Sequence, residues 1–168
     1  MTHTPSLQVL ILIGSPNDAP VMQGAVEVLT ELGISAEMTV ASAHRSPERV
    51  MRLLGEAHTR GVSVFIVGAG AAAHLGGVVA AHVTKPVIAV PIDSSALNGL
   101  DALLSTVQMP PGVPVATVSI GKPGATNAGV LAAQILALGD KQIAERVEKY
   151  KRGLADKVED AARKLANP

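Results

Sequence analysis

LQVLILIGSPND, residues 7–18, decides the fold. From Val9 to Ile13 every side chain is large and apolar, with no alternation of apolar and polar positions. A strand of that kind must be covered on both faces, as happens in parallel sheets flanked by helices. Gly14 and Ser15 end the run. The next segment changes period: Val21, Met22, Ala25, Val28, Leu29 and Leu32 lie on one face of a helix over 19–32, which Gly33 stops. A buried strand turning through Gly-Ser into an amphipathic helix is the first half of a βαβ unit.

The same rhythm continues outward. Further strands are predicted at 34–40, 62–67, 86–90 and 114–120. Between them, helices are predicted from Ser46-Pro47 to about Arg60, from His74 to about Val83, over 99–105 and over 125–138. Strands alternating with helices require crossover connections and a parallel sheet. The expected fold class is therefore α/β: a three-layer α/β/α, flavodoxin-like parallel sheet of about five strands, forming a single domain over 1–168. A long charged helix over 140–166 ends it. There Ile143, Val147, Tyr150, Leu154, Val158, Ala161 and Leu165 make one apolar stripe, which must dock on its own domain or on a neighbour's, the length favouring a neighbouring subunit.

Charge narrows the function. Lys and Arg number 14 and Asp and Glu 14, a formal net charge of zero, which argues against nucleic acid or an anionic membrane as partner. Of these charges, 14 lie between Asp140 and Lys164, leaving a sparsely charged body. A monomer of that kind would expose apolar patches, so a homo-oligomer is expected. Without cysteine there is no disulfide and no thiolate metal site. No HExxH occurs and the histidines lack ligand spacing, so no metal is expected. The only Phe and Tyr are Phe65 and Tyr150, few rings for a flavin or a stacked base. No GxxxxGK[ST] is present. Residues 68–73 read GxGxxA, the outline of a dinucleotide fingerprint, but they follow the third strand rather than the first. The chain start lacks signal-peptide character and no apolar run reaches the ~18 residues of a membrane span, so a cytoplasmic location is expected.

In such a sheet, ligands bind beyond the carboxyl ends of the strands. The polar loops predicted there are Gly14-Ser15-Pro16-Asn17-Asp18, Ser42-Ala43-His44-Arg45-Ser46-Pro47, Gly68 to Leu75, and Asp93 to Gly99. Helix starts offer N–H groups to phosphate, Ser15 and Ser42 offer hydroxyls, and Arg45 is one of few cations in the body. Asp18 can accept from a pair of sugar hydroxyls. Ser15 and Asp18 can equally be plain helix caps. His44, in a strand-end loop beside Arg45, is the candidate for proton transfer. His74 opens a helix whose dipole favours a neutral ring, able to donate a hydrogen bond or simply to cap.

These segments resemble the PurE family of N5-carboxyaminoimidazole ribonucleotide mutases. Val90-Pro91, Ser95-Ala96-Leu97, Gln108-Met109-Pro110, Gly112 to Val115 and Asn127-Ala128 extend the resemblance. It implies a flavodoxin-like fold, an octamer, no cofactor and a small-molecule ribonucleotide substrate. It implies a reaction in which a carboxylate moves from the exocyclic nitrogen of an aminoimidazole to ring carbon four, through carbon dioxide released and recaptured in a closed pocket. By position, His44 would be the acid/base. Ser15, Asp18, Ser42 and Arg45 would bind ribose phosphate, and Gly70, His74 and Leu75 would line the carbon dioxide pocket. Three positions depart from the family pattern: Asn17 stands where a serine is usual, Gly76 where a proline is usual, and Asn98 where a serine is usual. Those departures keep open a related carboxylase or decarboxylase on another ring nucleotide, and the fold keeps open a non-catalytic binding module.

Overall fold

A computed structural model describes residues 7–166. Five strands form one parallel sheet: β1 (Val9–Ile13), β2 (Ala36–Val40), β3 (Val64–Gly70), β4 (Val87–Ile92) and β5 (Ala116–Thr117). Their order is β2-β1-β3-β4-β5, the flavodoxin-like arrangement. The helices are α1 (Ala19–Glu31), α2 (Pro47–Thr59), α3 (Leu75–His82), α4 (Leu100–Val107), α5 (Lys122–Ala137) and α6 (Lys141–Ala166). A 3-10 turn, Pro16–Asp18, precedes α1.

The unbroken apolar run of β1 is explained by its place next to the sheet centre. Val9, Ile11 and Ile13 pack on one face with α1 and α5 through Met22, Ala25, Leu29, Ala128 and Ala132. Leu10 and Leu12 face the other way, into a second cluster with Val50, Leu53, Leu54 and Val79 of α2 and α3. Both faces are therefore dry, and polar substitution at any of these positions would bury an unpaired group.

Several boundaries differ from expectation. The sequence predicts strand three ending at Val67, but β3 runs to Gly70 and pairs with β4 as far as Ile92. Small residues allow this: a Cβ on Gly68 would lie 2.7 Å from Met22 Sδ, so glycine lets the strand pass under α1. Gly68 and Gly70 thus belong to a strand rather than to a phosphate-binding turn. β5 shrinks from the expected 114–120 to Ala116–Thr117. It is an edge strand beside Pro114, and beyond it only isolated bonds continue along β4, from Val118 N to Ala89 O and from Gly121 N to Pro91 O. The third helix begins at Leu75 with His74 as its N-cap, and α5 begins at Lys122 rather than Ala125.

The expectation for α6 is corrected in part. Its first half docks on its own chain. Asp140 Oδ1 caps it by accepting from Gln142 N and Ile143 N at 2.8 and 3.1 Å. Ile143 is fully buried, with Val147 and Tyr150 packed against the same cluster. Arg146 Nε donates to Leu32 O at 2.6 Å, satisfying a carbonyl at the end of α1. From Lys151 onward the helix is almost wholly exposed, and only there does the apolar stripe lack a partner among the described residues.

Candidate active site

The carboxyl ends of the strands are brought level by register: Ile13 stands opposite Val40 on one side and Gly68 on the other. The chain leaves β1 for β2 on one side and reaches β3 on the other, so the loops diverge there and leave a crevice. A cavity of about 460 Å³ occupies it. Every residue expected at the site lines it: Ser15, Asp18, Ser42, His44, Arg45, Gly70, His74 and Leu75.

The first loop is held rigidly. Ser15 is extended and its Oγ accepts from Asn17 N at 3.3 Å, while Asp18 Oδ2 accepts from Ser15 N at 2.9 Å. This reciprocal capping box satisfies the backbone donors of Ser15 and Asn17. Ser15 and Asp18 therefore cap the turn, and both also line the cavity. Asp18 is only 5% exposed. Burial pushes its carboxyl above the ordinary 3.8, opposed by the Ser15 N–H and the Arg45 guanidinium.

The second loop is a tight turn built on Ser42. Its Oγ accepts from Arg45 N at 3.2 Å and from Arg45 Nε at 3.4 Å, and its carbonyl accepts from Ser46 N at 3.0 Å. The turn sets His44 at the rim, with an exposed ring. The third loop is strained. Ala71 and Ala73 both have positive φ, 51° and 45°, a region alanine enters only at a cost of roughly 1–3 kcal/mol. Ala73 N bonds to Gly70 O at 3.0 Å, and Ser105 Oγ donates to Ala72 O, so the loop is clamped at both ends.

That strain delivers His74 to His44. His44 Nε2 and His74 Nδ1 are 2.6 Å apart, with the rings edge to face at 72° and their centroids 4.8 Å apart. His74 is the N-cap of α3, yet its ring makes no capping bond. Two histidines from sequence positions thirty apart thus meet across a cavity that also carries the hydroxyls of Ser15, Ser42 and Ser94, the Asp18 carboxyl and the Arg45 guanidinium. Such a set can hold an anion and move a proton.

The family model described as AIR carboxylase matches residues 8–157. The chain belongs to that family. The chain is 50% identical over 155 residues to the N5-carboxyaminoimidazole ribonucleotide mutase of Thermotoga maritima, covering 92% of this chain and 90% of that protein. To the mutase of the same name from Bacillus subtilis it is 48% identical over 155 residues, covering 92% and 96%. The crystal structure of Treponema denticola PurE superposes with a TM-score of 0.85 at 33% identity, covering 94% of this chain and 98% of that one.

Within this AIR carboxylase family member, sequence reasoning missed Ser94 as a lining residue. Its signal was present, since it lies in a polar loop just after β4. What could not be read is how near that loop comes to β3: a Cβ on Gly70 would lie 1.8 Å from Ser94 Oγ. Asn17, noted only as a departure, also lines the cavity. Gly76 and Asn98 do not, so of the three departures only Asn17 reaches the site on this chain.

Proposed function

We propose that this chain converts N5-carboxyaminoimidazole ribonucleotide to 4-carboxy-5-aminoimidazole ribonucleotide in purine biosynthesis. The observation that carries the proposal is the His44–His74 pair over a cavity rimmed by Ser15, Ser42 and Arg45. Its support from kinship is the name borne by relatives about half identical over most of the chain.

In this reading Arg45, Ser15 and Ser42 hold the ribose phosphate, and Asp18 receives sugar hydroxyls. Arg45 is suited to the task because its fork is already oriented by Ser42 and Gly14, so little entropy is lost on binding. Gly70, His74 and Leu75 line a small compartment for carbon dioxide, where the absence of bulky side chains lets backbone approach. The nitrogen–carboxyl bond breaks and releases carbon dioxide. Ring carbon four attacks it and then loses its proton, while the exocyclic nitrogen gains one. Atoms balance as an isomerisation, with no cofactor, and His44 moves the proton.

The protein works as a cytoplasmic, single-domain subunit of a homo-octamer. Two exposed apolar stripes support assembly with further copies. One is Leu97, Leu100, Leu104 and Val107 on and before α4; the other is Leu154, Val158 and Leu165 on α6.

The test is turnover of the N-carboxylated nucleotide by pure protein without ATP, beside His44→Asn. Conversion that disappears in the variant supports the reading. An inert wild type with intact fold and assembly would overturn it, and conversion of the uncarboxylated nucleotide with bicarbonate alone would assign the carboxylase reaction instead.

A further inference from the structure

We propose that His74 is a positioning residue for His44: it accepts a hydrogen bond from His44 Nε2–H through its own Nδ1, and so fixes both the tautomer and the aim of the catalytic ring. The inference rests on the proposed function for its kinetic consequence, but its structural half stands alone.

The argument begins with the separation of 2.6 Å between His44 Nε2 and His74 Nδ1. Two neutral imidazoles that close must share one proton. Two N–H groups facing each other would clash, and two lone pairs would repel. Of the two permitted arrangements, one places both rings in the Nε2–H form, the commoner tautomer of a free neutral histidine. In it His44 donates, His74 accepts, and the unprotonated nitrogen of His44 is Nδ1. Proton acceptance is thereby confined to one atom of the ring, which an isolated, rim-exposed histidine would not achieve.

The surroundings oblige His74 to play this part. Its ring does not cap α3, although it stands at the N-cap. The backbone before it is held at positive φ at Ala71 and Ala73, and its carbonyl is fixed by Val78 N at 3.0 Å. Strain retained in front of a side chain that makes one specific contact indicates that the contact depends on that aim. Among the described residues neither His44 Nδ1 nor His74 Nε2 has a hydrogen-bond partner, so the pair is joined to the rest of the protein through this one contact and the two backbones.

The test uses three proteins: wild type, His74→Ala and His74→Asn. Asparagine places an amide oxygen near the position of Nδ1 and can still accept. Nitrogen-15 long-range correlation spectra of the His44 ring at a pH where it is neutral should show one tautomer, Nε2–H, in wild type and in His74→Asn, and a mixture in His74→Ala. Steady-state kinetics should show kcat falling about 10–100-fold in His74→Ala, as for loss of a group that orients a functional histidine, with KM within about threefold. His74→Asn should recover most of the loss. The same tautomer mixture in wild type and His74→Ala would overturn the proposal, as would equal losses of kcat in the alanine and asparagine variants. An inactive wild type with a single His44 tautomer would count against the proposed reaction and not against the pairing.

Discussion

Arg45 Nη2 donates to the carbonyl oxygen of Gly14 at 3.0 Å, tying the loop after β2 to the loop after β1 across the open crevice. The same guanidinium donates through Nε to Ser42 Oγ. Its remaining donors are left for a ligand. Arg45→Met should therefore raise KM by roughly 10–100-fold, the equivalent of losing a hydrogen bond to a charged group, with a smaller change in kcat. Arg45→Lys should recover little, because an ammonium cannot keep two protein contacts and still present a fork. Steady-state kinetics on the three proteins checks this, and an unchanged KM in Arg45→Met would remove Arg45 from the phosphate site.

Two glycines, one at the end of β3 and one in α3, make opposite predictions. A Cβ on Gly70 would meet Ser94 Oγ at 1.8 Å, Ser94 Cβ at 3.0 Å and Ile92 O at 3.1 Å, so Gly70→Ala must turn the Ser94 side chain aside and crowd the Ile92 carbonyl. It should cost about 1–3 kcal/mol, the usual range for overpacking. A Cβ on Gly76 would meet Ala89 Cβ at 3.4 Å and Thr106 Cγ2 at 3.5 Å, ordinary contacts. Gly76→Ala should stabilise by about 0.4–1 kcal/mol, since alanine loses less backbone freedom on entering α3. Urea unfolding of both variants decides it. A destabilised Gly76→Ala would show that α3 needs the missing side chain.

How much of this could be read beforehand follows from the kind of signal each feature sends. The fold was legible because β1 is apolar on both faces and α1 carries a clean helical stripe, both local patterns. The rim was legible because polar loops in a doubly wound sheet fall at one end. The meeting of His44 with His74 was not legible, because it depends on positive φ at Ala71 and Ala73, and alanine carries no mark of that conformation. Ser94 escaped for a similar reason: its closeness to Gly70 is set by how far β3 and β4 continue pairing. The shortness of β5 escaped because Pro114 to Ile120 has an apolar alternation that fits a strand as well as it fits an extended edge.

Asp18 makes a prediction about pH. Burial holds its carboxyl above the ordinary 3.8, so the folded protein binds that proton more tightly than the unfolded chain does. The stability linked to it is fully present below the unfolded value and is lost as pH rises through the folded one. At neutral pH the ionised carboxylate is thus a net burden. Asp18→Asn removes the charge while its Oδ1 can still accept from Ser15 N. The variant should melt at an equal or higher temperature than wild type at pH 7, and its advantage should disappear as pH falls below about 4, near the unfolded carboxylate value. Calorimetry across pH 3.5–7.5 measures it. An asparagine variant that loses ground steadily as pH rises would show that attraction to Arg45 outweighs burial.

The last prediction concerns the far half of α6. Leu154, Val158 and Leu165 are 45, 67 and 83% exposed, at spacings that keep them on one side of the helix. Residues 151–166 touch little of their own chain, so an isolated helix end of this length would fray in water. Docking on a second copy would relieve both problems, and the sparsely charged body offers it an apolar surface around Leu97, Leu100, Leu104 and Val107. Replacing Leu154 and Val158 together by Glu should leave β1 to α5 folded, because neither residue contributes to the buried clusters. It should lower the mass measured by light scattering from that of an assembly toward that of one chain. Helical circular dichroism should fall by about the share contributed by the frayed end. A wild type already monomeric at micromolar concentration, or a double variant that keeps the full assembly, would show that α6 does not hold the copies together.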